Sequence, residues 1–426
     1  MAFSLSISIG LLSSVFASQP SLQEEPFKNV DVQDSSESSA GLGHSIRKVF
    51  KPFVQWATAV MFFDPFAAIG LYDPIVRSDD GSPVIAKDGK VKRIKFPLVV
   101  LCLVTAAIYF TCKLRFINFR GFVHAFALLR GRYTDEDAPG DLTHFQALST
   151  ALSGTVGLGN IAGVALAISI GGPGATFWMV LVGLCGMSLK FAECTLGVKY
   201  REIDENGEIA GGPMYYLEKA FSRRKSPRLG KTLGFTWAFL AVLGALGGGN
   251  MFQANQSFTM FSQQFPWFQG RGVLFGVTLA VLVALVIFGG VKSLGRVTGT
   301  LVPFMAILYV ATGSVIILFN IDKIADVLSL IVSGAMSPPA MKGGFFGVLI
   351  IGLKRAAFSN EAGVGTAAIA HSAAKTREPV AEGIVALHEP FVDTVVICTM
   401  TALVVIFSGL HVPPEGLEGA AITAAA

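Results

Sequence analysis

Charge is scarce in this chain. Asp, Glu, Lys and Arg make up 15% of its 426 residues, where a soluble globular domain carries about 25%. From Leu142 to Leu189, 48 residues pass without one of them, and Thr232 to Gly270 supplies another 39. An ordinary soluble enzyme surface is excluded. Cysteine is also sparse. Cys102, Cys112, Cys185, Cys194 and Cys398 lie in apolar segments without a C-x-x-C pair, which excludes a disulfide framework or zinc site and leaves small buried thiols. The six histidines, at 44, 124, 144, 371, 388 and 411, show no H-E-x-x-H spacing and no grouping with cysteine, so they are expected to be packed or interfacial side chains. A net charge of +4, with its basic residues in short loops, gives no case for nucleic-acid binding.

What is abundant is apolar surface and glycine: 52% of the residues are hydrophobic and 47 more are Gly. The uncharged stretches exceed the roughly 20 residues that carry an α-helix across a bilayer, so the chain is expected to be an all-α polytopic membrane protein. Eight apolar segments are predicted, at 96–112, 142–171, 174–198, 232–262, 272–290, 297–320, 344–373 and 390–409. Alternate loops then hold 17 and 3 basic residues, which places the richer side in the cytoplasm and the amino terminus outside. Arg47, Lys48, Lys51, Lys87, Lys90, Lys92, Arg93 and Lys95 oppose that assignment, and a cleaved export signal removes part of the conflict. Residues 1–18 resemble such a signal, ending in the small-x-small Val15-Phe16-Ala17. Residues 19–95 form an extracytoplasmic segment: a polar linker to Ser45, an interfacial helix within Ile46–Tyr72, and a surface hairpin within Ser78–Lys95 built on Asp79-Asp80-Gly81-Ser82 and Lys87-Asp88-Gly89-Lys90. Residues 96–426 form the transmembrane domain.

Two segments carry devices that an inert span does not need. In the second, Gly154, Gly157, Gly159 and Gly163 weaken a helix in mid-bilayer. Unwound backbone in lipid exposes amides and carbonyls, and survives only where it lines a cavity or meets a ligand. Close helix packing through Gly159-xxx-Gly163 is the alternative on that motif alone. The seventh segment repeats the device, setting Ser359, Asn360, Glu361, Gly363 and Gly365 at its middle. Two interrupted segments opening two halves of a chain point to a midplane transporter site. A half-helix amino terminus suits a substrate carboxylate, while carbonyls and side-chain oxygens such as those of Thr155 and Asn160 suit sodium. Glu361 is either an ion or proton relay, with Lys354 and Arg355 one to two turns before it as partners, or a hydrogen-bonding group for nearby backbone. Asp393 poses a similar choice between a relay and a cap near a helix start. In the fourth segment Gln253, within the polar set Asn250, Asn255 and Gln256, is the preferred pocket residue, with interhelical hydrogen bonding as the alternative. Gly157-Leu158-Gly159-Asn160-Ile161-Ala162 matches a dinucleotide fingerprint in letters, but no strand precedes it and no acid follows about 20 residues on.

At these residues the chain resembles the alanine or glycine:cation symporter family. The stretches that carry the resemblance are HFQALSTALSGTVGLGNIAGVA, GGPGATFWM, KFAECTLGVKYRE, GGPMYYLEK, GNMFQANQ, FSNEAGVGTAAIAHSAAKT and EPFVDTVVICTMTAL, covering the chain from about Phe96 onward. Val180 stands where the family pattern usually has Trp. The resemblance implies a leucine-transporter-like inverted-repeat fold: an extra N-terminal helix, a first repeat from spans two to six, and a second repeat opened by spans seven and eight. The sequence stops at GLEGAAITAAA, so the second repeat is expected to be incomplete and the chain truncated. It further implies substrate contacts at Thr155, Gly157, Gly159, Asn160, Gln253, Phe358, Ser359, Asn360 and Gly363, and sodium contacts at Ser153, Thr155, Val156, Asn160 and Thr394. The expected function is inward symport of alanine or glycine with sodium across the cell inner (plasma) membrane, with no catalysis and no cofactor beyond the coupling ion. A non-transporting membrane sensor or subunit is the alternative from another class, separated by net accumulation of substrate. A proton-coupled carrier using Glu361 or Asp393 is the nearer variant.

Overall fold

A computed structural model describes residues 63–70, 73–75, 82–83, 91, 93, 95–133, 135–336, 344–414, 417 and 419–426. The expected signal, the polar linker and most of the interfacial helix lie outside the described residues. Of the N-terminal segment, Asp64 caps α1 (Pro65–Ala68), accepting from the Phe66 and Ala67 amides at 3.1 and 2.9 Å. Its second oxygen accepts from the Phe96 amide at 2.7 Å, tying this piece to the helical body. An antiparallel bridge joins Ile75 to Arg93; most of the expected hairpin within Ser78–Lys95 lies outside the described residues.

The body is almost entirely helical: α2 (Leu98–Lys113), α3 (Ile117–Arg120), α4 (Phe122–Leu129), α5 (His144–Thr155), α6 (Leu158–Gly171), α7 (Ala175–Lys199), α8 (Pro213–Arg223), α9 (Pro227–Gln264), α10 (Gly272–Ile287), α11 (Gly290–Phe319), α12 (Ile324–Met336), α13 (Gly344–Asn360), α14 (Thr366–Ser372), α15 (Pro379–Phe407) and α16 (Ala420–Ala425). A two-stranded hairpin, Glu202–Ile203 with Ile209–Ala210, links α7 to α8.

Four of these helices, α7, α9, α11 and α15, are long and apolar enough to cross a membrane, and the bent pair α5–α6 makes a fifth. The eight expected segments therefore do not all become full spans. Segment 96–112 is the 16-residue α2 and segment 272–290 the 16-residue α10, both apolar but short. Segment 344–373 is divided at residues 361–365 into α13 and α14, each too short to cross alone. Beyond the starts of α9 and α11, which come at Pro227 and Gly290 instead of residues 232 and 297, two further features differ. The last span begins at Pro379 instead of residue 390, because a π-helical stretch, Phe391–Cys398, follows Pro390. A wider turn accommodates a proline that donates no amide and crowds the carbonyl four residues back. The other is α12, expected only as a connection: Val327, Ile331 and Ala335 recur at helical spacing and are buried.

In the membrane, apolar side chains gain nothing by leaving lipid, so close packing holds helices together. The central helix is α7, whose most apolar stretch is 67% buried, against 11% for α11. Gly352 of α13 presses on it: a Cβ there would come within 2.7 Å of the Ala175 carbonyl and of Trp178 Cβ. The main apolar core joins Val99 and Leu103 of α2, Val164 and Ile168 of α6, Met179 and Val182 of α7, Ile351 of α13 and Val405 of α15. This packing fixes the two broken helices against one scaffold.

Candidate functional site

The first break follows from strong local signals. Thr143 and Gln146 form a reciprocal capping box that starts α5: Thr143 Oγ1 accepts from the Gln146 amide at 3.1 Å, and Gln146 Oε1 accepts from the Thr143 amide at 3.0 Å. The helix stops at Thr155, and after the extended Val156 and Gly157 the axis restarts as α6, bent by 43°. Asn160 stabilises this restart, its Oδ1 accepting from the Gly157 amide at 2.8 Å.

The second break is longer. Glu361, Gly363 and Gly365 adopt positive φ of 49°, 89° and 98°; for the two glycines this backbone is open at no steric penalty, whereas Glu361 holds a left-handed conformation that non-glycine residues seldom occupy. The loosened backbone is satisfied piece by piece, as buried polar groups require. The Ala362 amide donates to Asn360 Oδ1 at 3.0 Å, the Gly363 amide to Glu193 Oε2 at 2.8 Å and the Val364 amide to the Glu361 carbonyl at 3.0 Å. The Val364 carbonyl accepts from Trp237 Nε1 of α9 at 3.1 Å.

The two breaks meet at one carboxylate. Asn160 Nδ2 lies 2.7 Å from Asp393 Oδ1, 3.0 Å from the Asp393 carbonyl oxygen, 3.1 Å from Ser359 Oγ and 3.4 Å from Cys398 Sγ, so two protons serve four acceptors. Ser359 Oγ donates to Asp393 Oδ2 at 2.8 Å, as does Thr394 Oγ1 at the same distance. Asn160, Ser359, Asn360, Asp393 and Thr394 are all buried. Asp393 is fully enclosed, and among the described residues no Lys, Arg or His pairs with it. Its hydrogen bonds come only from neutral side-chain donors. It is not a cap near a helix start, because α15 begins fourteen residues earlier at Pro379.

Other predicted residues line the same place. Gly159 abuts Phe358 and Ser359: a Cβ on it would lie 3.5 Å from Ser359 Cα and 3.8 Å from Phe358 Cδ1. The Gln253 carboxamide of α9 faces Gly157, 3.8 Å from where a Cβ on that glycine would stand. Thr155 is buried, and its hydroxyl makes only a long 3.5 Å contact to the Leu152 carbonyl. Asn360 Nδ2 reaches Thr394 Oγ1 at 3.4 Å. Three predicted groups turn elsewhere. Ser153 is exposed and donates to the Thr150 carbonyl at 2.6 Å; the Val156 side chain packs with Leu148, Leu152 and Val302; and Gly363 serves Glu193. Glu361 takes Thr366 as its hydrogen-bond partner, at 2.7 Å, and not Lys354 or Arg355.

Two buried ionic groups escaped the sequence reading. Lys190 Nζ bonds Glu389 Oε1 at 2.8 Å and lies 3.5 Å from Glu193 Oε1. An i, i+3 pair of charges in an apolar helix was the available signal. The carboxylate of Glu382 is held between His144 Nδ1 and, at 2.5 Å, His371 Nδ1, linking the start of α5 to the end of α14. Beyond the helix ends, the guanidinium of Arg201 donates to four carbonyls, of Pro139, Ser372, Ala374 and Thr376, at 2.6 to 2.9 Å. Burial pulls its pKa below the ordinary arginine value, against the opposing charge of Glu382.

Comparison with known proteins places this geometry in context. Residues 88–426 match the model of the sodium:alanine symporter family. The chain is 44% identical over 332 residues to the sodium/alanine symporter AgcS of Methanococcus maripaludis, covering 77% of this chain and 72% of that protein. It is 35% identical over 329 residues to the probable sodium/glutamine symporter GlnT of Bacillus subtilis, covering 77% and 66%. Over 317 residues it is 35% identical to YrbD of Bacillus subtilis, a putative sodium/proton-dependent alanine carrier, covering 74% and 62%.

Proposed function

Because the chain belongs to the sodium:alanine symporter family, and is thus a membrane transporter and not an enzyme, we propose that it carries alanine or glycine inward with sodium by alternating access. The observation that carries this reading is the convergence of both helix breaks on Asp393, a buried carboxylate with neutral donors only. A buried charge of that kind is costly unless a cation joins it. Sodium, a hard ion, takes oxygen ligands, and Thr155, Asn160, Thr394 and the unwound carbonyl of Val156 are the assigned donors, with Ser153 at the edge. The amino acid lies across the two breaks. Its carboxylate faces the amides at Gly157 and Gly159, where α6 begins and the dipole is positive. Asn160, Gln253, Phe358, Ser359, Asn360 and Gly363 complete the wall, and the small side chain of alanine fits the contact of Gly159 with Phe358.

In this reading α5–α6 and α13–α14 open two inverted repeats, α2 is the additional N-terminal helix, and residues 96–426 form one transmembrane domain, preceded by an extracytoplasmic segment. The protein resides in the cell inner membrane as a multi-pass carrier. Glu361 supports the second break through Thr366. The relative named for glutamine and the one named for protons define the alternatives to test. Proteoliposomes holding the protein should accumulate labelled alanine under an inward sodium gradient and not under a proton gradient in sodium-free medium, with excess glycine competing more strongly than glutamine. Accumulation driven by protons alone, or glutamine as the stronger competitor, overturns the assignment of ion or substrate; binding without accumulation favours a sensor.

A further inference from the structure

Among the described residues, Glu193 is the one carboxylate outside the Asp393 cluster that holds an amide of a helix break. With Lys190 and Glu389 it forms a fully buried set, in which one ammonium faces two carboxylates and one negative charge is left over. Two of the carboxylate oxygens, Glu193 Oε1 and Glu389 Oε2, have no hydrogen-bond partner among the described residues. The groups facing this set come from each element packed around it. Its own helix adds the Cys194 thiol; α8 adds the Tyr216 hydroxyl, which is also unpartnered; the break adds Glu361; and Glu382 of α15 stands further off, between His144 and His371. Beside Gly363, α2 presents Leu103 and, next to Leu189 and Ala362, Ala107. The His388 ring of α15 stacks on Phe122, at 4.5 Å between centroids. Among the described residues none of these is a second lysine or arginine, so the excess charge has no fixed cation.

We infer that Lys190, Glu193 and Glu389 form a site for one exchangeable proton, and that the Gly363 amide ties occupancy of this site to the conformation of the second helix break. A carboxylate that accepts an amide hydrogen is held ionised, and it becomes more basic when that donor leaves. Movement of Gly363 away from Glu193 therefore draws a proton from water onto Glu193, which shares the single ammonium of Lys190 with Glu389. Return of the amide releases the proton. No other bond is made or broken. By reciprocity, proton concentration shifts the equilibrium of the break. The inference rests on the carrier reading only in that the break moves during transport.

The test is hydrogen–deuterium exchange at residues 361–365 in the full chain in lipid nanodiscs, corrected for intrinsic exchange rates. Protection of the Gly363 amide should change roughly fivefold or more between about pH 6 and about pH 9, along a one-proton curve. In Glu193→Gln the side-chain oxygen still accepts from Gly363 but cannot ionise, and protection should be flat with pH. Glu389→Gln removes the excess charge from the other side and should flatten the curve as well. Constant protection in the unmodified protein, or the same titration in both variants, overturns the inference. Sodium-driven alanine uptake is measured in parallel: uptake with flat protection removes the proton site alone, whereas titrating protection without uptake removes the carrier reading alone.

Discussion

The two helix breaks solve one problem by different means. At the first, two residues separate α5 from α6, and a single neutral side chain, Asn160, both supports the restart at Gly157 and reaches Asp393. At the second, five residues separate α13 from α14, and the work is divided among Asn360, Glu193, Trp237 and Glu361. Concentrated support makes the first break a corner whose loss uncouples everything at once. Distributed support makes the second a set of separable contacts, able to rearrange in steps. The two share Asp393, which receives Asn160 from one and Ser359 from the other.

Removing the shared group should have the largest effect. Asp393→Ala takes the carboxylate from three buried donors, of which Asn160 keeps the main-chain carbonyl of residue 393 and Ser359 Oγ, at a loss on the order of 3–5 kcal/mol, and should abolish sodium-driven uptake; thermal unfolding in detergent reads the first effect and proteoliposomes the second. Next comes the contrast between the breaks. Asn160→Ala should eliminate sodium-stimulated alanine binding, while Ser359→Ala, which removes the bond accepted from Asn160 and the bond donated to Asp393, should weaken it about tenfold, equivalent to about 1.4 kcal/mol. Unchanged sodium dependence in Asn160→Ala would count against the concentrated role of that residue. Gly365→Ala forces a side chain into left-handed backbone at about 1–2 kcal/mol and against Pro213; slower uptake with sodium dependence intact is expected. The smallest change is Thr366→Val, which takes one donor from Glu361. A loss of about 0.5–1.5 kcal/mol in thermal stability and a modest drop in uptake rate would fit separable support, whereas complete loss of transport would place the second break on the same footing as the first.

Much of this arrangement was legible in the sequence, for a local reason. Gly157, Gly363 and Gly365 mark where helical backbone does not persist, and Asn160, Ser359, Asn360 and Asp393 stand out because polar groups are rare in such segments. What joins them was not legible. Asn160 and Asp393 lie 233 residues apart, and no periodicity reports a contact made by packing α15 beside both breaks. The start of α15 was obscured by Pro390, which ends most helices but here precedes a π-helical turn. Lys190 and Glu193 lie inside the segment expected at 174–198, but their partner Glu389 is 199 residues from Lys190 in sequence, and no local pattern reports that contact.

The most direct measurement is equilibrium binding of labelled alanine to the purified protein as sodium is raised, with Asp393→Asn beside the unmodified chain. That substitution keeps the shape of the side chain and deletes its charge. The account predicts alanine binding that rises with sodium in the unmodified protein and is insensitive to sodium in Asp393→Asn. Equal sodium dependence in the two would show that the ion is held elsewhere, and the meeting of the two breaks at Asp393 would then be structural alone.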